Sequence, residues 1–310
     1  MKVLVTCPPM LGMMAEFKSL FKAKGIHVDC PSVTQTLSEA ELKERIPQYD
    51  GWIIGDDPAT RAVFQAGKEG KLRAAVKWGV GVDNVDFTAA QDLGIPVTNT
   101  PHMFGAEVAD IAMGYVIALA RQTFFIDRNV RKGKWPKPAG ISLADKTVAL
   151  VGFGDIGRNT AKRLLAADMK VIAYDPYFQP LPELALVQPA PWPERLGEAD
   201  FIVLTCALTP NNRHLINAST LAMTKSGVRI VNVARGPLID EVALEKALAS
   251  GHVHSVALDV FEIEPLPNTS PLRQYDQCIW GSHNGSNTVD AVRRASFKAI
   301  ELLFDFLEVN

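Results

Sequence analysis

The fold turns on one stretch, Val148-Ala149-Leu150-Val151-Gly152-Phe153-Gly154-Asp155-Ile156-Gly157, in which an aliphatic run leads into three spaced glycines. The run reads as a buried strand, and the apolar spacing over 156–167 reads as a helix. A strand that enters a helix through G-x-G-x-x-G has a specific use. Gly152 permits the tight turn, Gly154 lets the backbone approach a pyrophosphate, and Gly157 lets the helix pack on the strand. Asp155 and Ile156 open that helix, where unpaired N–H groups and the positive dipole end favour an anionic ligand. Asp155 is itself an anion, so its carboxylate is expected to turn to solvent. The next strand, over 170–174, ends in Asp175, eighteen residues after Gly157. A carboxylate there accepts from adenosine ribose hydroxyls and repels a 2′-phosphate, which selects NAD over NADP.

Working outward, strand signals recur at 201–204, 229–233 and 255–258, with a helix over 241–249. Upstream a separate series runs through strands at 3–6, 26–29, 52–54, 74–78 and 95–98. Its helices lie at 13–24, from the capping box Ser38-Glu-Ala-Glu41 to Ile46, and at 59–66. Alternation of strand and helix implies parallel sheets covered by helices, and two such series imply two doubly wound α/β domains. Between them Asn99-Thr-Pro101 reads as a hinge. A long helix follows over 106–132, stopped by Trp135-Pro-Lys-Pro138. The segment 180–193 is proline-rich and reads as a loop. The chain closes on a helix over 287–307, with Asn287 or Thr288 as N-cap.

Composition limits the function classes. The 310 residues carry 32 Lys and Arg against 34 Asp and Glu, a net charge of −2. No basic excess offsets a phosphate backbone, which argues against nucleic acid as a partner. Cys7, Cys30, Cys206 and Cys278 are far apart, with neither a zinc-site spacing nor a CxxC pair, and suit a reducing compartment. The opening residues MKVLVTCPPM hold too short an apolar stretch for a signal peptide, and the longest apolar run, at 111–120, is half a membrane span. Cytoplasmic location is the expectation, with no membrane partner and no metal.

Three downstream segments carry reactive side chains, each at the carboxyl end of an expected strand, where open α/β sheets bind ligands. They are Ile230-Val-Asn-Val-Ala234-Arg235-Gly236, Ala257-Leu-Asp259-Val-Phe-Glu-Ile-Glu264-Pro265 and Gly281-Ser-His283-Asn-Gly285. An arginine can clamp a carboxylate through paired hydrogen bonds and polarise a ketone. A histidine can give a proton to a carbonyl oxygen as hydride arrives, and a carboxylate beside it favours imidazolium and fixes the tautomer. With NAD, that is the equipment for reversible reduction of a 2-oxo acid. The other histidines, including His214 and His254, read as solvated or structural.

These motifs, taken together over nearly the whole chain, resemble the D-isomer-specific 2-hydroxyacid dehydrogenase family, on its phosphoglycerate-dehydrogenase-like branch. Gly79-Val-Gly-Val-Asp-Asn-Val-Asp86 resembles the family's substrate loop, and Asn99-Thr-Pro101 with Val108-Ala-Asp110 its crossover. Asn232-x-Ala-Arg-Gly236 resembles its arginine signature, and Asp259-Val-Phe-x-x-Glu-Pro265 its glutamate signature. Ser282-His283 stands where the family has Pro-His. The resemblance implies a flavodoxin-like substrate domain (1–98 and 286–310), a Rossmann NAD-binding domain (99–285), an active-site cleft between them, and a homodimer built through the nucleotide domain. It implies Arg235 as the substrate clamp and His283 paired with Glu264 as the acid–base group. Asp259 and Ala234 would lie on the cofactor, Asp259 at its nicotinamide end. The N–H groups of Val80 and Gly81 would hold the substrate carboxylate, and Trp78 would line the pocket.

Departures from the family refine this. Gly55-Asp56-Asp57 replaces an arginine-containing stretch found in phosphoglycerate dehydrogenases, and two carboxylates there would repel a phosphorylated substrate. No C-terminal regulatory extension is expected. An unphosphorylated 2-oxo acid is therefore the favoured substrate, with D-3-phosphoglycerate dehydrogenase as the alternative. Formate dehydrogenases resemble this family with a glutamine in place of Glu264, which argues against that chemistry here. An NAD-sensing corepressor-like binding protein would share the fold and the triad but carry extensions for partners.

Overall fold

The computed structural model describes residues 1–309 and gathers them into two units, Met1–Phe104 with 287–309, and Gly105–Ser286. The first rests on five parallel strands, β1 (Lys2–Val5), β2 (His27–Asp29), β3 (Gly51–Ile54), β4 (Ala74–Lys77) and β5 (Val97–Asn99), in the order β2-β1-β3-β4-β5. That order is the flavodoxin-like arrangement. Its first five helices are α1 (Pro8–Gly12), α2 (Met14–Ala23), α3 (Glu39–Arg45), α4 (Arg61–Glu69) and α5 (Phe87–Asp92). The expected capping box is present. Ser38 Oγ accepts from Glu41 N, and the Glu41 carboxylate accepts from Ser38 N at 2.9 Å. On one face of the sheet Leu4, Trp52 and Ile54 pack with Leu42, Val63 and Phe64. Burial on both faces explains why β3 reads as an unbroken apolar run, and β4 as one as far as Lys77.

The second unit opens with α6 (Gly105–Arg121) and α7 (Thr123–Arg131). The single helix expected over 106–132 is thus two, bent by 68°. Gln122 between them is left-handed at φ 55°, and one residue in that region ends the i→i−4 ladder. Then follow β6 (Thr147–Val151), α8 (Asp155–Ala166), β7 (Lys170–Tyr174), β8 (Gln188–Pro189), β9 (Phe201–Leu204), α9 (Ala218–Ala222), β10 (Val228–Asn232), α10 (Glu241–Ala249), β11 (Val253–Leu258) and β12 (Ile279–Trp280). All seven strands are parallel, ordered β12-β11-β10-β9-β6-β7-β8. Chain direction across the sheet reverses between β6 and β9, the switch point at which doubly wound sheets bind ligands. The proline-rich loop contains the short strand β8. Strand β12, three residues before His283, carries no apolar run long enough to announce it.

α11 (Val289–Leu307), N-capped by Thr288, returns to the first unit. It covers the other sheet face, with Phe297 edge-on to Phe17 and Phe304 edge-on to Phe21. The first crossover lies at Phe104/Gly105, six residues beyond the expected boundary at 98/99. Residues 99–104 stay with the first unit because Thr100 Oγ1 accepts from Gly79 N at 2.9 Å and Phe104 tilts against Trp78 at 5.0 Å. The second crossover falls at 286/287 rather than 285/286. Among the described residues no single helix is long and apolar enough to cross a membrane.

Candidate active site

The glycine loop after β6 shows what each glycine does. A Cβ on Gly152, at φ 94°, would overlap the Cys206 backbone at the foot of the loop after β9. A Cβ on Gly157 would overlap the Gly152 carbonyl. A Cβ on Gly154 would meet no protein atom within 4 Å, so that face is open to a ligand. Asp175 stands at the end of β7, where Oδ2 accepts from Phe153 N at 2.6 Å and Oδ1 from Tyr177 N at 2.8 Å. The carboxylate expected to read the ribose is thereby tied to the glycine loop. The loop opens on the α8 N-terminus, where Asp155 and Ile156 stand, and suits a dinucleotide pyrophosphate. Asp155 departs from expectation. Its half-buried carboxylate does not point to solvent but lies against the Gly105 backbone and accepts from Asn159 Nδ2 at 3.1 Å.

At the same sheet edge the loops after β10 and β11 and the segment after β12 come together. Gly236 lies flat on the next loop, and a Cβ there would overlap the Phe261 carbonyl. Asn232, buried at the end of β10, shapes the arginine turn. Its Oδ1 accepts from Ala234 N at 3.0 Å and its Nδ2 donates to Arg235 O at 2.8 Å. Arg235 Nη1 donates to Ala234 O at 2.9 Å. Both polar backbone groups of Ala234 are thus used within the turn.

His283 Nδ1 lies 2.8 Å from Glu264 Oε2, and Glu264 Oε1 accepts from Phe261 N at 2.9 Å. Both side chains are about one-fifth exposed, dry enough to strengthen the pair and open enough to meet a ligand. Nδ1 is the ring nitrogen that the Glu264 carboxylate engages. His283 is left-handed at φ 55°. Asp259 holds that turn. Its carbonyl accepts from His283 N at 2.7 Å, Oδ2 from Gly285 N at 2.8 Å and Oδ1 from Asn284 N at 3.2 Å. Tyr115 Oη reaches the same carboxylate at 3.5 Å; burial, and then the charge beside it, push the phenol up. The structure therefore commits Asp259, buried within the protein, to the histidine turn. The expectation for it had been a contact with the nicotinamide end of the cofactor.

In the first unit the Gly79–Gly81 loop follows β4. Among the described residues the N–H groups of Val80 and Gly81 donate to no protein acceptor. Trp78 is a correction: its indole is buried, packed on Phe104, and donates to Ser296 Oγ at 3.0 Å, so it holds α11 to the sheet. The Asp56–Asp57 reading also changes. Asp57 is fully buried and accepts from Thr6 Oγ1, from Leu37 N at 2.8 Å and from Gly55 N at 3.0 Å. Burial pushes its carboxyl up, offset in part by those donors. Asp56 pairs at 2.8 Å with Lys77, only 2 % exposed, which also donates to Gly55 O. The segment is therefore no bare pair of negative charges. Sequence reading missed Lys77, although a lysine ending the apolar run Ala74–Lys77 is a sign of a buried partner.

Comparison with known proteins identifies the family. The family model described as D-isomer specific 2-hydroxyacid dehydrogenase, NAD binding domain, matches residues 113–285. A hydroxypyruvate reductase of Thermotoga maritima is 39% identical over 282 residues, covering 89% of this chain and 90% of that one. A D-3-phosphoglycerate dehydrogenase of Methanocaldococcus jannaschii is 38% identical over 85% of this chain, which spans 51% of that relative's length. The crystal structure of the TT0316 protein from Thermus thermophilus superimposes with a TM-score of 0.88 at 32% identity, covering 99% of this chain and 97% of that one. The chain belongs to the D-isomer-specific 2-hydroxyacid dehydrogenase family, with NAD as its cofactor and oxidoreduction at a CH–OH group as its chemistry.

Proposed function

We propose that this chain reversibly reduces a small, unphosphorylated 2-oxo acid to the D-2-hydroxy acid. Bound NADH supplies the hydride. Arg235 clamps the substrate carboxylate and polarises the ketone, and His283 gives the proton from Nε2 to the carbonyl oxygen. Glu264 holds the other ring nitrogen and favours imidazolium before transfer. Within the first unit, the Val80 and Gly81 N–H groups are assigned to the substrate carboxylate. The observation that carries this reading is the 2.8 Å His283–Glu264 pair beside the arginine turn. Gly55 brings no cationic side chain, and the one buried cation beside it, Lys77, is spent on Asp56 and a carbonyl. That supports an unphosphorylated substrate, as does the 90% coverage of a relative named for hydroxypyruvate reduction.

NADH absorbance loss against glyoxylate, pyruvate, hydroxypyruvate, phenylpyruvate, 2-oxoglutarate and 3-phosphohydroxypyruvate tests the proposal. Turnover of an unphosphorylated acid, abolished in Arg235→Ala, is the expected result. Preference for the phosphorylated compound would make D-3-phosphoglycerate oxidation the function. NADH binding with no turnover would favour a cofactor-sensing role. We infer a homodimer from α7, which buries no residue and exposes Phe124 and Val130, and from Trp135, 78% exposed just beyond it; sedimentation equilibrium checks this. The four free thiols support a reducing, cytoplasmic location, which fractionation of the source cell checks.

A further inference from the structure

We propose that Glu241 and Glu262 are positioning residues, a crossed carboxylate clasp that holds the arginine-bearing loop at one fixed spacing from the loop that carries Glu264. The exchange is reciprocal. Glu262 N donates to Glu241 Oε1 at 2.8 Å, and Glu241 N donates to Glu262 Oε1 at 3.2 Å. Glu241 is the first residue of α10, six positions after Arg235; Glu262 is two positions before Glu264. Each loop thus caps a backbone donor of the other.

The clasp acts on the reactive groups through short paths. The adjacent amides of Phe261 and Glu262 are taken by two different carboxylates, Glu264 and Glu241. The turn that aims Glu264 at His283 is therefore defined partly from the arginine loop. At the other end, Gly236 is pressed on Phe261 so closely that no side chain fits. A third loop closes the arrangement. His214 N donates to Pro237 O at 2.8 Å, Asp240 N to Ile216 O at 2.8 Å, and the His214 ring stands 3.0 Å from Glu262 Oε1. Burial, and then the charges of Glu262 and Glu264, push the Glu241 carboxyl up. Three carboxylates crowded together are electrostatically unfavourable, so the arrangement is kept for its geometry.

This inference rests on the roles proposed for Arg235, Glu264 and His283. Its test separates reach from charge. Glu241→Asp and Glu262→Asp keep the charge but withdraw the oxygens by one C–C bond, about 1.5 Å. Glu241→Gln and Glu262→Gln keep the reach and an accepting oxygen but remove the charge. A misplacement near 1 Å can cost about 100-fold in rate. The aspartate variants should therefore lose ~10- to 100-fold in kcat on the preferred 2-oxo acid, with NADH dissociation constants within about twofold of wild type. The glutamine variants should stay within about threefold in kcat. The Glu241→Asp/Glu262→Asp double variant should cost little more than the worse single variant, because both break one clasp. Aspartate variants with wild-type kcat, or glutamine variants as impaired as aspartate ones, overturn the proposal. A wild-type enzyme inactive on every 2-oxo acid overturns the functional reading instead, and active wild type with inactive Arg235→Ala is the control that isolates the clasp.

Discussion

Glu264→Gln puts the acid–base assignment at risk. One carboxylate oxygen accepts from Phe261 N at 2.9 Å and the other faces His283 Nδ1 at 2.8 Å. An amide cannot serve both. If its oxygen stays on the Phe261 N–H, its NH2 meets Nδ1, which can then no longer carry a proton. If it flips, two donors collide at Phe261. In the first case the imidazolium loses a charge-assisted hydrogen bond of about 1.5–3 kcal/mol, and in the second it keeps only a neutral acceptor while Phe261 N loses its partner, a penalty of similar size. At about 1.4 kcal/mol per tenfold step, that is ~10- to 100-fold in kcat/KM for 2-oxo acid reduction near pH 7.5. The direction with pH is set by the charge removed. Removing the negative charge beside Nδ1 disfavours the imidazolium, so the alkaline limb of the reduction profile should move to lower pH. The deficit should therefore shrink toward pH 5.5. The assay is NADH consumption across pH 5–9 for wild type and variant, with NADH fluorescence quenching to show an intact cofactor site. A variant within threefold of wild type and with an unmoved limb would refute the role given to Glu264.

Three further outcomes follow from the glycine loop and from His254. Gly154→Ala should fold with a wild-type melting temperature yet weaken NADH binding, because its Cβ meets only the space assigned to the ligand. Gly157→Ala should unfold several degrees lower, because its Cβ overlaps the Gly152 carbonyl; differential scanning fluorimetry with and without NADH separates the two. Burial, and then Arg229, hold the His254 imidazole below its ordinary range. The folded state therefore binds fewer protons than the unfolded one at this site, and stability falls as pH drops through and below about 6.5. His254→Gln should show a smaller loss of melting temperature between pH 7 and 5.5, and an equal loss would remove His254 from the acid sensitivity.

The alternation of strands and helices was legible because buried parallel strands read as aliphatic runs, and because each motif marks a strand's carboxyl end. What stayed hidden was decided by contacts distant in sequence. The break at Gln122 carries neither glycine nor proline, and the apolar spacing runs on through Phe124 and Phe125, so nothing local reports the left-handed residue. The first crossover moved to Phe104 because Trp78 and Thr100 bind residues that read as hinge. The resemblance put Asp259 at the cofactor and the charge of Asp155 pointed it to solvent, whereas their oxygens are taken up by backbone and amide groups that sequence does not show. Asp56 and Asp57 misled in the same way, since a lysine twenty residues on supplies the countercharge. The members of the site come from three separated segments, and motif order named them. Their mutual distances, and the Glu241–Glu262 exchange, belong to the folded chain alone.

The return of α11 to the first unit has a consequence for biosynthesis. When Lys77 and Asn99 leave the ribosome, five strands exist but the helix that covers Gly51, Trp78 and the Phe17–Phe21 face does not. All of Gly105–Ser286 must be translated first. At about 5–20 residues per second, that leaves the early sheet half-dressed for roughly 10–40 s. The nucleotide-binding unit, continuous in sequence, can finish folding in that interval, so the part of the chain made first is the part completed last.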